Sequence, residues 1–392
     1  MKRIGIYGGT FNPPHVGHVR AAQHAFCALK LDELLVIPAG TSPGKDGEEP
    51  KVTALERMEM TKLAMGDIPR VTVLDTELRR NGVSYTADTL DEIKSLYPDA
   101  ELVLLLGADK FLTVTDWYRS EEILQNASLA VFSRGKYPKA QEILAQTEKI
   151  ESIGGKVTLL ENPVTEISST DVRRLLVFGC AEEFVPPKVL AYILGNGLYD
   201  TDVDLRQMPM EQLEKMVLSL LKPSRVAHVL GCRDTAVELA KRWGADETDA
   251  ARAGLLHDVT KALDGPLQLT LCRCCGIVLD DFSLKYPKTL HALTGSLVAK
   301  YMFGENDAVV DAIASHTTGK GNMNTLEEII YVADYMEPNR DFPGVEELRA
   351  LAFSDLHGAM KLGLQMTLDM LQTQGSEVSP DSREALNWLS TL

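Results

Sequence analysis

Six short apolar runs mark the first half of the chain: RIGIYGG, ELLVIPA, VTVLDTE, ELVLLLG, SLAVFSR and KVTLLE. Between them, as in VGHVRAAQHAFCALK and TADTLDEIKSLYP, apolar residues recur every three or four positions. Strand-length runs alternating with amphipathic helices predict a parallel sheet covered on both faces, because helical crossovers bury each strand twice. Near residue 200 the period changes. From MEQLEKMVLSLLK onward the spacing is helical throughout: PSRVAHVLGCRDTAVELAKRW, DETDAARAGLLHDVTKAL, HALTGSLVAKYMF, TLEEIIYVADYMEP and a final long pair. The pattern therefore predicts an α/β domain over residues 1–198 and an all-α domain over 206–392. The polar, glycine-containing GNGLYDTDVDLRQMP joins them, with the boundary between Gly195 and Pro209.

A length of 392 residues supports two such cores, each large enough to fold alone. No apolar run reaches the roughly 18 residues needed to span a bilayer, and the N-terminus reads as a strand and loop rather than a secretory signal. Six cysteines do not make a disulfide framework at this length, so a cytoplasmic, reducing setting is expected. The net charge of −16 argues against broad nucleic-acid or anionic-membrane binding. Nucleotides remain compatible with it, since a few cations and backbone N–H groups suffice to hold them. A homo-oligomer is compatible with the sequence as well.

The first candidate site lies at the end of the first strand, in YGGTFNPPHVGH (Tyr7–His18). Gly8 and Gly9 permit close approach of backbone to a ligand, and the helix that begins next turns its N–H groups toward any phosphate there. His15 and His18 are three residues apart and share a face of the first turn. Two imidazoles in that position can donate hydrogen bonds to oxygens whose charge grows in a phosphoryl-transfer transition state. A second element, ISSTDVRRLL, starts a helix that Ser168 or Ser169 can cap, with Asp171 completing a capping box and Arg173 within the first turn.

GGTFNPPHVGH and ISSTDVR together resemble the paired motifs of the nucleotidyltransferase superfamily. Adding SYTADTL, LLGADKF, DWYRSEEIL and VFSRG, residues 1–198 are similar to the NadD-type nicotinate-nucleotide adenylyltransferases, with a Rossmann-like fold. The resemblance implies adenylyl transfer from ATP to nicotinate mononucleotide, giving nicotinate adenine dinucleotide and pyrophosphate, with His15 and His18 as catalytic residues and Mg²⁺ accompanying ATP. It places Gly8, Gly9, Thr10, Phe11, His15, His18, Lys45, Gly107, Asp109, Arg134, Ser168, Ser169, Thr170 and Arg173 around ATP. It places Thr86, Trp117 and Tyr118 around nicotinate mononucleotide. One segment departs from the family pattern: TSPGKDGEEP has Gly44 where histidine is common, leaving Lys45 as a candidate phosphate contact. A different phosphate acceptor, such as phosphopantetheine or a polyol phosphate, is the alternative.

The second half carries histidines in LLHDVTK, HALTGS and SHTTGKGNM, after SRVAHVLG and before YVADYMEPNR. Helical spacing puts Asp334 at the edge of the Leu326, Ile329, Ile330 and Ala333 stripe, and His257 on the apolar side of its helix. A carboxylate aimed at a core is costly unless paired or metal-bound, and bundles build metal sites from such inward-facing groups. The order H…HD…H…H…D resembles the HD phosphohydrolase superfamily, and the local strings resemble its YqeK group. The resemblance implies a two-metal site of His228, His257, Asp258, His291, His316 and Asp334 that splits dinucleoside tetraphosphates such as diadenosine tetraphosphate into two nucleoside diphosphates. Iron is the implied transition metal, and the mixed N/O ligands suit Mn or Zn equally. Lys261 and Arg340 are candidate phosphate contacts. The alternatives are a nucleotide sensor without turnover and a hydrolase of another nucleotide. LCRCCG has no second cysteine pair at usable spacing and reads as small thiols on a helix.

Overall fold

The computed structural model describes residues 1–40, 52–80, 82–133, 140–161 and 167–391. The chain divides into two compact units, Met1–Val203 and Asp204–Leu392.

The first unit is built on six parallel strands: β1 (Arg3–Gly9), β2 (Glu33–Pro38), β3 (Val71–Val73), β4 (Glu101–Gly107), β5 (Ser128–Ser133) and β6 (Val157–Glu161). Their order is β3-β2-β1-β4-β5-β6. The order reverses between β1 and β4, which pair from Arg3 opposite Glu101 to Ile6 opposite Leu104. Such a reversal opens a crevice at the carboxyl ends of the strands, the usual ligand position in open α/β sheets. The helices are α1 (Val16–Ala28), α2 (Ala54–Met65), α3 (Thr86–Leu96), α4 (Ala108–Phe111), α5 (Ser120–Asn126), α6 (Ala140–Ser152), α7 (Ser169–Val177) and α8 (Pro187–Gly195). Their apolar faces close over Ile4, Ile6, Leu35, Leu104, Leu129 and Val131. One strand is shorter than its apolar run predicts. β3 has β2 as its one neighbour, and its last bond to β2 is Leu74 N–H to Val36 O, 2.9 Å. Among the described residues β3 is an edge strand, and its pairing ends before Asp75.

The second unit is helical: α9 (Met210–Leu220), α10 (Val226–Trp243), α11 (Glu247–Leu256), α12 (Gly265–Cys274), α13 (Asp281–Lys285), α14 (Leu290–Tyr301), α15 (Asp307–Ser315), α16 (Thr325–Met336), α17 (Val345–Ala352), α18 (Leu356–Thr373) and α19 (Pro380–Leu389). α10 packs on α11 and α16, and α14 on α15. Gly254 makes the α10–α11 approach possible, since a Cβ there would come within 2.7 Å of the Arg233 backbone. The helix expected to run through LLHDVTK stops at Leu256, and His257 is its C-cap residue. His257, Asp258 and Lys261 therefore stand on a chain of tight turns, in which Val259 N–H bonds Leu256 O and Lys261 N–H bonds Asp258 O. No helix among the described residues is long and apolar enough to cross a membrane.

Candidate functional sites

The first site begins where β1 ends. Gly8 lies on open space, with nothing within 4 Å of a Cβ built on it. Gly9 is required for packing, because a Cβ there would strike the Phe11 ring at 2.9 Å. Phe11 is buried, with its backbone in the left-handed region at φ 47°. Its ring lies edge-on to Tyr7 (5.5 Å between centroids) and to His18 (5.1 Å). It therefore supports His18 from below. His15 caps α1, and its backbone N–H donates to His18 Nδ1 at 3.1 Å. A neutral His18 accepting at Nδ1 carries its proton on Nε2, the donor a phosphate oxygen needs. The two rings sit 3.7 Å apart between centroids.

The hydroxyl-rich motif comes to the same turn. Ser168 caps α7 in a reciprocal box with Asp171. Ser169 Oγ donates to Pro13 O (2.9 Å), and Arg173 Nη1 donates to Asn12 O (2.6 Å). Arg173 Nη2 also binds Thr170 Oγ1 (3.0 Å), and burial lowers the pKa of its guanidinium. Part of this motif's work is thus to hold the turn that carries His15 and His18. Two residues that the sequence reading missed do the same. Buried Arg57 on α2 donates to Thr10 O (2.8 Å), and buried Tyr199 donates to Asn12 Oδ1 (2.6 Å). Nothing in their local sequence marks them, since both act across the fold.

Gly107 caps α4 at the end of β4, and Asp109 is exposed in the first turn of that short helix. Thr86 opens α3. The Tyr85 ring beside it lies 4.6 Å from that of Tyr118, so the two segments expected around the pyridine nucleotide meet. Trp117 packs half-buried against the core and donates from Nε1 to Thr113 Oγ1 (3.3 Å). Lys45 and Arg134 lie outside the described residues.

In the second unit, six predicted ligands from five separate stretches converge. His228 Nε2 is 3.3 Å from His257 Nε2 and 3.1 Å from Asp334 Oδ1, and the third side of that triangle is 3.8 Å. Asp258 Oδ2 faces His228 and His257, each at 3.6 Å, while Oδ1 faces His291 (3.5 Å) and His316 (3.8 Å). One carboxylate thus stands between two histidine pairs. Each imidazole is oriented from behind. Nδ1 of His257, His291 and His316 donates to the carbonyl three residues earlier, Gly254, Lys288 and Ile313, at 2.7–2.8 Å. His228 Nδ1 donates to the buried Glu337 carboxylate at 3.1 Å. Nε2 of His257, His291 and His316 is therefore the lone-pair nitrogen when the ring is neutral, and a metal-ligating histidine is typically fixed this way. Burial favours that neutral form: it holds His257 and His291 well below the usual histidine range and pushes His316 down to about 4. Burial opposes ionisation of Asp334, but the His228 hydrogen bond and the Arg340 guanidinium outweigh it, so its carboxyl stays well below the usual range.

This donor set fits divalent metal ions. Acceptor atoms crowd one another, and Asp258 Oδ1 is buried without a hydrogen-bond partner. Two overlapping triads, His228–His257–Asp334 and His257–Asp258–His316, have geometry able to hold a cation. Three cations border the cluster. Arg340 binds Asp334 Oδ1 (2.7 Å) and Asp334 O (2.9 Å). Lys261 Nζ lies 2.7 Å from His291 Nε2, and burial pushes its pKa down to about 8. Arg225, which the sequence reading missed, donates to Asp258 Oδ2. Its signal was available, since it stands one helical turn before His228. Glu337 was also missed. It lies past the helix end in MEPNR, where helical spacing no longer predicts its direction.

The first unit matches the cytidylyltransferase-like family model over residues 6–175, and the second matches the HD domain model over residues 225–339. A Pseudomonas fluorescens protein named "Probable nicotinate-nucleotide adenylyltransferase" is 37% identical over 50% of this chain and 97% of its own length. A Mycoplasma pneumoniae protein named "Probable nicotinate-nucleotide adenylyltransferase/Ap4A hydrolase" is 28% identical over 94% of this chain and 98% of its own. Among solved structures, a predicted HD superfamily hydrolase involved in NAD metabolism from Clostridium acetobutylicum is 37% identical, covering 47% of this chain and 98% of that one at a TM-score of 0.46. The Plasmodium falciparum nicotinic acid mononucleotide adenylyltransferase is 21% identical, covering 51% and 98% at a TM-score of 0.42.

Proposed function

The chain belongs, in its first half, to the nicotinate-nucleotide adenylyltransferase family and carries an HD domain in its second, and on that premise we propose that it is an enzyme with two activities. Residues 1–198 transfer AMP from ATP, with Mg²⁺, to nicotinate mononucleotide. Residues 206–392 hydrolyse dinucleoside tetraphosphates symmetrically, giving two nucleoside diphosphates.

For adenylyl transfer, the carrying observation is the His15–His18 helix start held against the α7 motif through the Asn12 and Pro13 carbonyls. The acceptor phosphate attacks the α-phosphorus in line and pyrophosphate leaves, so no protein nucleophile is needed. The work of the chain is to position the triphosphate and donate to its oxygens as charge develops. His18 Nε2 is the donor best placed by its tautomer. Trp117 with the Thr86 and Tyr118 segments would receive the nicotinate ring.

For hydrolysis, the carrying observation is Asp258 set between two imidazole pairs. His228, His257, Asp258 and Asp334 would hold one ion, and His291 and His316 would complete the second position with Asp258. We assign iron, with Mn or Zn suited to the same donors. A bound ion pair supplies Lewis-acid activation of water and neutralises phosphate charge. Lys261, Arg340 and Arg225 would bind the flanking phosphates of the bridge.

A product assay of the full chain tests the reading. ATP is supplied with nicotinate mononucleotide, nicotinamide mononucleotide, phosphopantetheine or a polyol phosphate, and diadenosine tetraphosphate is supplied separately. Dinucleotide formed with nicotinate mononucleotide, and ADP as the sole product from the tetraphosphate, are the expected results. Transfer to another acceptor, or a mixture of AMP and ATP from the tetraphosphate, would overturn the corresponding half.

A further inference from the structure

The turn Thr10–Pro13 is the joint between the glycine end of β1 and the histidine helix α1. Four of its acceptor oxygens are held by donors from distant parts of the chain. Thr10 O is held by Arg57, Asn12 O by Arg173, Pro13 O by Ser169 and the Asn12 amide oxygen by Tyr199. The partners come from 47, 161, 156 and 187 residues away. Arg173 and Ser169 belong to the nucleotide motif. Arg57 and Tyr199 do not, yet they are the most deeply buried of the four, at 4% and 7% exposed.

Taking such groups out of water is costly unless their bonds are made. A guanidinium could reach solvent from the start of α2; here one amino group instead binds Thr10 O and the other reaches Gly40 O at 3.4 Å, where β2 ends. Tyr199 has a left-handed backbone, φ 60°, in a short turn that follows α8 and that brings its ring inward. Phe11, inside the turn, is also left-handed, a conformation a bulky residue holds only under constraint from its surroundings. The imposed contacts and the strained residue coincide at the four residues that set the direction of His15 and His18.

We propose that Arg57 and Tyr199 are positioning residues for adenylyl transfer: they brace the Thr10–Pro13 turn from outside the nucleotide motifs so that the histidine helix start is pre-formed for a triphosphate. Neither needs to touch the nucleotide; they act through the Thr10 carbonyl and the Asn12 side chain. The inference rests on the proposed transferase activity of the first unit.

Tyr199→Phe in the full chain is the decisive variant, because it removes one hydroxyl and keeps the ring. Its kcat for dinucleotide formation should fall roughly tenfold or more, as misplacement of reacting groups does, while KM for nicotinate mononucleotide and Tm stay near the parent values. Asn12→Ala should lower kcat similarly, and Tyr199→Phe should add little in that background, since both break one bond. Arg57→Lys, which keeps the charge but cannot span Thr10 O and Gly40 O together, should show the same kcat loss. Calorimetric titration with a non-hydrolysable ATP analogue reads the brace without turnover, and Tyr199→Phe should weaken binding at least about threefold. A variant whose kcat and analogue affinity both match the parent overturns the proposal while leaving the activity assignment intact. If the parent forms no dinucleotide, the assignment fails and the analogue titration alone decides: weakened binding supports the brace, unchanged binding overturns it.

Discussion

Gly231→Ala should weaken metal binding in the HD domain without touching a ligand. Gly231 lies on α10, three residues after His228, and a Cβ there overlaps Oε2 of Glu337. It would also come within 3.1 Å of Asn339 Nδ2. A flexible exposed glutamate would swing aside at little cost. Glu337 is 1% exposed, accepts from His228 Nδ1 at 3.1 Å, and accepts from Asn339 through its backbone N–H (2.7 Å) and Nδ2 (2.8 Å). Displacing it breaks those bonds and leaves His228 without the acceptor that sets its ring plane. Loss of such a supporting partner costs about 10–100-fold in metal affinity, or ~1.4–2.7 kcal/mol. Helix propensity works in the opposite direction, since Ala is favoured over Gly by about 1 kcal/mol in a helix interior. Global stability should therefore change little while metal affinity falls. Competition against a graded series of chelators, followed by elemental analysis and a parallel Tm measurement, reads both quantities. Glu337→Gln should lose affinity as well, because an amide oxygen turned to His228 leaves the NH2 group facing the two Asn339 donors. If Gly231→Ala keeps metal affinity within twofold of the parent at unchanged Tm, the claim that Glu337 orients His228 is refuted.

Further expectations follow from the two sites. His18→Ala should cut adenylyl transfer by roughly 10²–10³, the scale of losing one transition-state donor, with near-parent kcat counting against the assignment. Trp117→Ala should raise KM for nicotinate mononucleotide far more than KM for ATP. Preference for the nicotinate over the nicotinamide form, measured as a kcat/KM ratio, should be clear in the parent, because donors placed for a carboxylate go unpaired with a misoriented amide. Asp258→Ala removes the carboxylate shared by both histidine pairs and should abolish tetraphosphate hydrolysis together with the bound metal. It should leave dinucleotide synthesis within about threefold, under roughly 0.7 kcal/mol, and a collapse of synthesis in a folded variant would show that the sites are coupled.

Local pattern carried much of this protein. Short continuous apolar runs locate the six described strands, and the 3.6 period marks the change to helix near residue 200, because burial on two faces and burial on one stripe leave different apolar spacings. Chemistry was legible where it is packed into short strings. GGTFNPPHVGH and ISSTDVR each run into a helix start, and LLHDVTK sets two candidate ligands side by side. Spacing also suggested that Asp334 and His257 face inward, because helical geometry relates side chains a few residues apart.

Tertiary structure decided what depends on distance in the chain. That Asp258 stands between two histidine pairs follows from α11 ending at Leu256, and from Gly254 letting that helix approach α10; a periodicity argument carried the helix past both His257 and Asp258. Glu337 acts through a bond to a residue 109 positions earlier, and Arg57 and Tyr199 reach the Thr10–Pro13 turn from 47 and 187 positions away. A ligand motif is local because one helix start can present it to one phosphate. The groups that orient a motif must approach from behind and from the sides, and those directions are filled by whichever elements the fold packs there.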